Sequence, residues 1–191
     1  MQPHFSENDK IMFYKYLNQC SYYFEFGSGG STYQASLRDN IKSIFSVESD
    51  LNWFKNLIKI LKNSNKINII YNHLNTQKNT WGNPGPNCTD IQKISYSNHI
   101  NNLDRDIKEK LDFILIDGRF RVACCLKCHQ NINDDCLIAF DDFLNRPQYH
   151  IILQFFNIID KTIDNRMVIL KKKKDVIIPD ELIKTYELIQ T

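Results

Sequence analysis

Two sets of residues in this chain have the types and spacing for chemistry. One is the glycine-rich stretch Gly27-Ser-Gly-Gly30, which follows the aromatic run Tyr22–Phe26 and precedes Ser31 and Thr32. Its glycines allow positive φ and let a ligand come close to the backbone. Ser31 or Thr32 can cap a following helix, whose free N–H groups make an electropositive end. About twenty residues on, Glu48 ends a second apolar run, where a carboxylate accepts from both hydroxyls of a ribose diol. The other set is Asp117, Asp141 and Asp142, each just past an apolar run. Taken singly, such an aspartate caps a turn. Brought to one rim, three carboxylates repel unless a cation sits among them, and a hard ion such as Mg²⁺ takes oxygen ligands.

The elements that must position these residues read in order. Residues 7–20 form an amphipathic helix, with Ser6 and Asp9 approximating a capping box. Strands are expected at 22–26, 42–48 and 66–71, with helices from 31 to 39 and from 50 to 61, the second carrying Trp53 in the core. Residues 72–90 make a long Asn-rich loop around Trp81-Gly-Asn-Pro-Gly-Pro86, and loops of that length are usually functional or disordered. Trp81 there is either a surface anchor or a platform for adenine or a sugar ring. Residues 91–110 hold a polar helix, placed at 99–110. The run Leu111-Asp-Phe-Ile-Leu-Ile-Asp117 suits a central parallel strand covered on both faces. Then come a helix at 121–132, a strand at 136–140 and a helix at 148–160. Two antiparallel strands at 166–170 and 176–178, joined by the lysine run 171–174, precede a short helix at 180–190. The sum is an α/β three-layer Rossmann-like sandwich, a mostly parallel seven-stranded sheet with an antiparallel terminal hairpin. One domain spans residues 1–191, with 1–21 as its helical cover.

The third glycine of the dinucleotide pattern is replaced by Thr32, which argues against a nicotinamide cofactor. E-x-G-x-G-G-S-T followed by S-V-E-S-D resembles motif I and the acidic loop of class I S-adenosylmethionine-dependent methyltransferases. The resemblance covers most of the chain. It implies Glu25 near the methionine part of the cofactor, Gly27, Ser28, Gly29 and Ser31 in the turn beneath it, and Glu48 with Ser49 at the ribose. Ile116-Asp-Gly118 and Phe140-Asp-Asp-Phe143 resemble the metal-binding strand ends of macrocin-type sugar O-methyltransferases, whose three metal carboxylates match Asp117, Asp141 and Asp142. A metal there would lower the pKa of an acceptor hydroxyl and aim its oxygen at the methyl group. Those enzymes carry an acid where this chain has Arg119, so the general base stays open among Asp142, His150 and Tyr149. Arg119 and Arg121 either hold an anionic acceptor or pair with the aspartates. The resemblance also implies a small-molecule or glycan acceptor and a homodimer.

Bulk properties fit this. The 191 residues are 42% hydrophobic with a net charge of +2, giving one sizeable core and no general drive toward nucleic acid. No run is long enough to span a bilayer. Six cysteines, three at 124, 125 and 128, suit a reducing, cytoplasmic setting better than a disulfide framework. Cys125-Leu-Lys-Cys128-His129 matches a haem-attachment string, but it falls on a helix facing the sheet, where thiols pack as small apolar groups. Two rival readings are a non-catalytic scaffold of the same fold and another nucleotide-binding Rossmann enzyme.

Overall fold

The computed structural model describes residues 1–61 and 65–190. Strands β1 (Tyr22–Phe26), β2 (Ser43–Glu48), β3 (Ile67–Tyr71), β4 (Phe113–Ile116), β5 (Leu137–Phe140), β6 (Phe156–Lys161) and β7 (Val168–Lys172) form one sheet in the order β3-β2-β1-β4-β5-β7-β6. The first five are parallel, and β7 runs antiparallel to both β5 and β6. This is the α/β architecture that the alternating pattern predicts.

The helices are α1 (Glu7–Leu17), α2 (Gly30–Ser36), α3 (Leu51–Ile60), α4 (Asp90–Asn98), α5 (Arg105–Lys108), α6 (Arg121–Asn131) and α7 (Asp180–Leu188), with a 3₁₀ helix at Pro147–Gln154. Side chains alternate across the sheet. Phe24, Phe26, Ile114, Ile116, Ile138 and Phe140 pack on one face with Cys124, Cys125 and Cys128 of α6. Tyr23, Phe113, Leu115 and Ala139 pack on the other with Phe13 and Leu17 of α1. Burial on both faces is why β4 reads as an unbroken apolar run.

Four expectations are corrected. The polar helix sits at Asp90–Asn98 rather than 99–110, because Thr89 and Gln92 close a capping box there: the Gln92 N–H donates to Thr89 Oγ1 at 3.3 Å and the Thr89 N–H to Gln92 Oε1 at 2.9 Å. The helix expected at 148–160 is a 3₁₀ turn followed by β6, and 176–178 is not a strand. The terminal hairpin therefore pairs β6 with β7. The lysine run is not its turn. Lys171 and Lys172 lie in β7, while Lys172 and Lys174 pair with Asp134 at 3.2 and 3.3 Å.

The fold places the strand ends of β1 and β4 in contact. Gly27 has φ +97°, and a Cβ there would lie 2.8–2.9 Å from the backbone of Asp117 and Gly118. Gly27→Ala is expected to cost roughly 2–3 kcal/mol of stability. The measurement is a urea midpoint at unchanged slope; a loss below about 0.5 kcal/mol, the range of an ordinary surface change, would show the turn to be relaxed.

Candidate functional site

Register brings the chemistry together. Phe26 of β1 pairs with Val47 of β2 and with Ile116 of β4, which pairs with Phe140 of β5. The ladder continues one residue further, Asp117 N–H to Phe26 O at 3.0 Å and Asp141 N–H to Ile116 O at 3.1 Å. Gly27, Asp117 and Asp141 are thus neighbours at the carboxyl edge. The strand order reverses at β1, so a crevice opens there.

On the β1–β2 side, Glu25 is fully buried and accepts from Tyr23 OH and Ser46 Oγ, both at 2.8 Å, and from Thr32 Oγ1. Burial raises its pKa, and the hydroxyls of Thr32, Ser31, Ser46 and Tyr23 pull it back. Thr32 Oγ1 also accepts from the Gly29 N–H at 2.8 Å. Glu25 and Thr32 therefore brace the glycine turn from below, which gives the non-glycine at 32 a physical purpose. Ser28 is buried against Ser46, with their hydroxyls 2.5 Å apart.

Glu48 is 7% exposed. Its Oε1 accepts the N–H groups of Ser49 and Asp50, each at 2.7 Å. Burial pushes its carboxyl up to about 7 against those two bonds. The core position expected for Trp53 is not what it takes: it is 43% exposed and lies against the glycine turn instead. Its Nε1–H donates to Ser28 O at 2.7 Å, and its ring lies 3.7 Å from where a Gly29 Cβ would be. Position gave a signal for it, since Asp50 caps α3 and sets Trp53 on its first turn, beside Glu48. Above Glu48, Ser49 Oγ donates to Gly82 O at 2.9 Å, which seats the 81–83 loop. Trp81 is 75% exposed with φ +55° and rests on His4, ring centres 5.4 Å apart. Residues 2–3 were not foreseen here either; their backbone lies where a Gly30 side chain would go.

On the β4–β5 side, guanidinium groups stand among the aspartates. Arg121, the first residue of α6, is buried. It donates to Gly118 O at 3.1 Å, Asp141 O at 2.6 Å, Asp117 O at 3.1 Å and Asp117 Oδ1 at 2.9 Å, and lies 3.5 Å from Asp142 Oδ2. Arg166 reaches Asp141 at 3.3 Å, Asp142 at 3.0 Å and the buried Asp9 at 3.4 Å. Arg146 takes Asp142 Oδ2 at 2.8 Å. Burial and the neighbouring carboxylates push Asp141 up to about 7, and burial also raises Asp117.

The metal reading of Asp117, Asp141 and Asp142 does not fit this arrangement. Their oxygens are turned to arginines, and among the described residues no group of His, Cys, Asp and Glu is disposed to hold an ion. Sequence order hid this, because Arg166 reaches in from beyond β6. Of the expected catalytic residues, Asp142 is held by three arginines in a positive-φ conformation. His150 Nε2 lies 3.2 Å from Phe143 O, and Tyr149 is buried with its hydroxyl 3.0 Å from Arg146 Nη1. Arg119 is half-buried and donates to Asn83 Oδ1.

The fold is the Rossmann-like α/β fold of class I methyltransferases. The chain is similar to a methyltransferase-like protein from Silicibacter pomeroyi, with a TM-score of 0.79 and 22% identity over 96% of this chain and 94% of that one. It also superposes on a ribosomal-protein methylase from Lactobacillus delbrueckii subsp. bulgaricus (TM-score 0.56, 14% identity, 90% and 82% covered). A tRNA methyltransferase from B. subtilis matches too (TM-score 0.52, 12% identity, 88% and 67% covered). No protein-family model and no curated sequence matches the chain. Among the described residues no helix is long and apolar enough to cross a membrane.

Proposed function

We propose that this chain is an S-adenosylmethionine-dependent methyltransferase acting on a hydroxyl of a sugar, glycan or other small polyhydroxyl acceptor. The observation that carries the reading is Glu48, a buried carboxylate beside the glycine turn whose two backbone bonds both fall on one oxygen. That leaves Oε2 as the acceptor for the hydroxyls of a ribose diol, and Trp53 supplies an aromatic wall. Bound there, the cofactor would supply a sulfonium methyl group for in-line transfer to an acceptor oxygen, with the thioether sulfur leaving with the carbon–sulfur electron pair. Ser28, Gly29 and Ser31 would line its methionine end, and Ser49 would support Glu48.

The protein's own contribution is placement and proton removal. Asp117 has the most exposed side chain of the three aspartates, at 28%, and stands beside Gly27. In this reading it takes the acceptor proton, and burial, which raises its proton affinity, supports that role. Arg121 keeps it oriented and supplies positive charge where the resemblance put a metal. The reading includes a homodimer in the cytoplasm and no nucleic-acid or membrane partner, in keeping with the net charge of +2. A second reading, a cofactor-binding scaffold without catalysis, draws support from the arginine contacts on Asp142 and the Phe143 contact of His150.

Calorimetric titration with S-adenosylhomocysteine tests the first step. An ionised Glu48 accepts the ribose hydroxyls best, so affinity is expected to rise roughly tenfold between pH 6 and pH 8, across its pKa of about 7. No binding at either pH would end the proposal. Methyl transfer to a panel of polyols and glycans, unchanged by chelator, then separates enzyme from scaffold.

A further inference from the structure

We propose that Arg119 and Asn83 form a binding site for an anionic group, a phosphate or a carboxylate, carried by the acceptor. The inference rests on the methyltransferase reading for which molecule brings the anion.

Four arginines stand at the carboxyl edge of the sheet, and three have their counter-charges in the fold. Arg121 answers Asp117, Asp141 and Asp142; Arg166 answers Asp141, Asp142 and Asp9; Arg146 answers Asp142. Arg119 has none. Among the described residues no carboxylate oxygen lies within 4.0 Å of its guanidinium. Its side-chain partner is the neutral Asn83 Oδ1, which accepts from Nη1. Yet the residue is half-buried, and both desolvation and the neighbouring Arg121 lower its pKa.

A partly desolvated cation beside a second cation is costly until an anion arrives. A guanidinium presents a planar fork of donors that matches phosphate and carboxylate oxygens two at a time. The group is also held in place. The Arg119 N–H donates to Tyr96 OH at 3.3 Å, and Asn83 adjoins Gly82, whose carbonyl is bonded to Ser49. Arg119 is two residues past Asp117, so an anion on it would set an acceptor between the glycine turn and that aspartate.

The test titrates inorganic phosphate and acetate into the full chain, with and without saturating S-adenosylhomocysteine, while following the backbone amide resonances of Asn83 and of residues 118–120 by NMR. Saturable shifts at millimolar phosphate are expected. Arg119→Gln should weaken phosphate at least tenfold, and Asn83→Asp, which sets a carboxylate before the guanidinium, should do the same. Arg38→Gln, changed at a site bonded to Asn18 and Gln34, should leave it unaltered. No saturable shift, or equal affinity in Arg119→Gln, overturns the site. If Arg119→Gln weakens S-adenosylhomocysteine but not methylthioadenosine, which lacks the carboxylate, the anion belongs to the cofactor and the acceptor assignment falls. Phosphate binding without S-adenosylhomocysteine binding would keep the anion site and remove the methyltransferase reading alone.

Discussion

Arg121→Leu is expected to lose about 3–5 kcal/mol of folding stability, the scale for removing one partner of a buried ionic cluster. The leucine would strip Asp117 of its closest cation, at 2.9 Å, and leave three backbone carbonyls, at 117, 118 and 141, without that donor. Arg121→Lys should recover little. One ammonium cannot span a fork that joins the ends of β4 and β5. The deficit should shrink toward pH 5, where protonation relieves the stranded carboxylates, and grow toward pH 8. Equilibrium urea unfolding across that range is the measurement. A loss under about 1 kcal/mol at pH 8, the scale of an exposed pair, would mean that the arginine is a surface ornament on the aspartates.

The second large effect is on ligand affinity. Glu48→Gln is expected to weaken S-adenosylhomocysteine by about 10- to 100-fold, since hydrogen bonds to an ionised group contribute roughly 1.5–3 kcal/mol. The same change should make the free protein more stable at pH 8. The sign follows from linkage. Burial lifts the Glu48 carboxyl from 4.5 to about 7, so the folded state holds its proton more tightly than the unfolded chain does. Its favourable contribution is present below about pH 4.5 and is gone above about pH 7. Asp141, raised from 3.8 to about 7, has the same sign. Wild-type melting temperature should therefore fall from pH 5 to pH 8, and Glu48→Gln should flatten part of that slope. A glutamine variant that binds as well as wild type would refute the ribose role. One that is less stable at pH 8 would show the carboxylate to be structural.

The sequence carried the site's frame better than its chemistry. The glycine turn and Glu48 were legible because only glycine adopts φ +97° against a facing backbone, and because β2 must end at the edge its neighbours share. β4 was legible because burial on both faces leaves an apolar run that no surface element shows. The stretch 148–160 reads as one helix for the complementary reason. It is apolar almost throughout, and periodicity alone cannot divide such a run into a 3₁₀ turn and an edge strand. The aspartates were found as a set and given the wrong counter-charge. Nothing local marks Arg166, 25 residues past Asp141, as a reach-back partner, and α6 had to be built before Arg121 pointed inward. Trp53 and Trp81 exchanged expectations in part. The first leaves the core for the crevice, and the second stays outside on His4.

The 81–83 loop also joins distant parts of the chain. His4 packs on Trp81, and the Gln190 side chain donates to Asn83 Oδ1 at 3.0 Å, so positions near both ends of the numbering touch one three-residue stretch. Loss of that stretch's footing on Ser49 would therefore be felt at His4 and at Gln190 together, although neither belongs to the strand that carries Glu48.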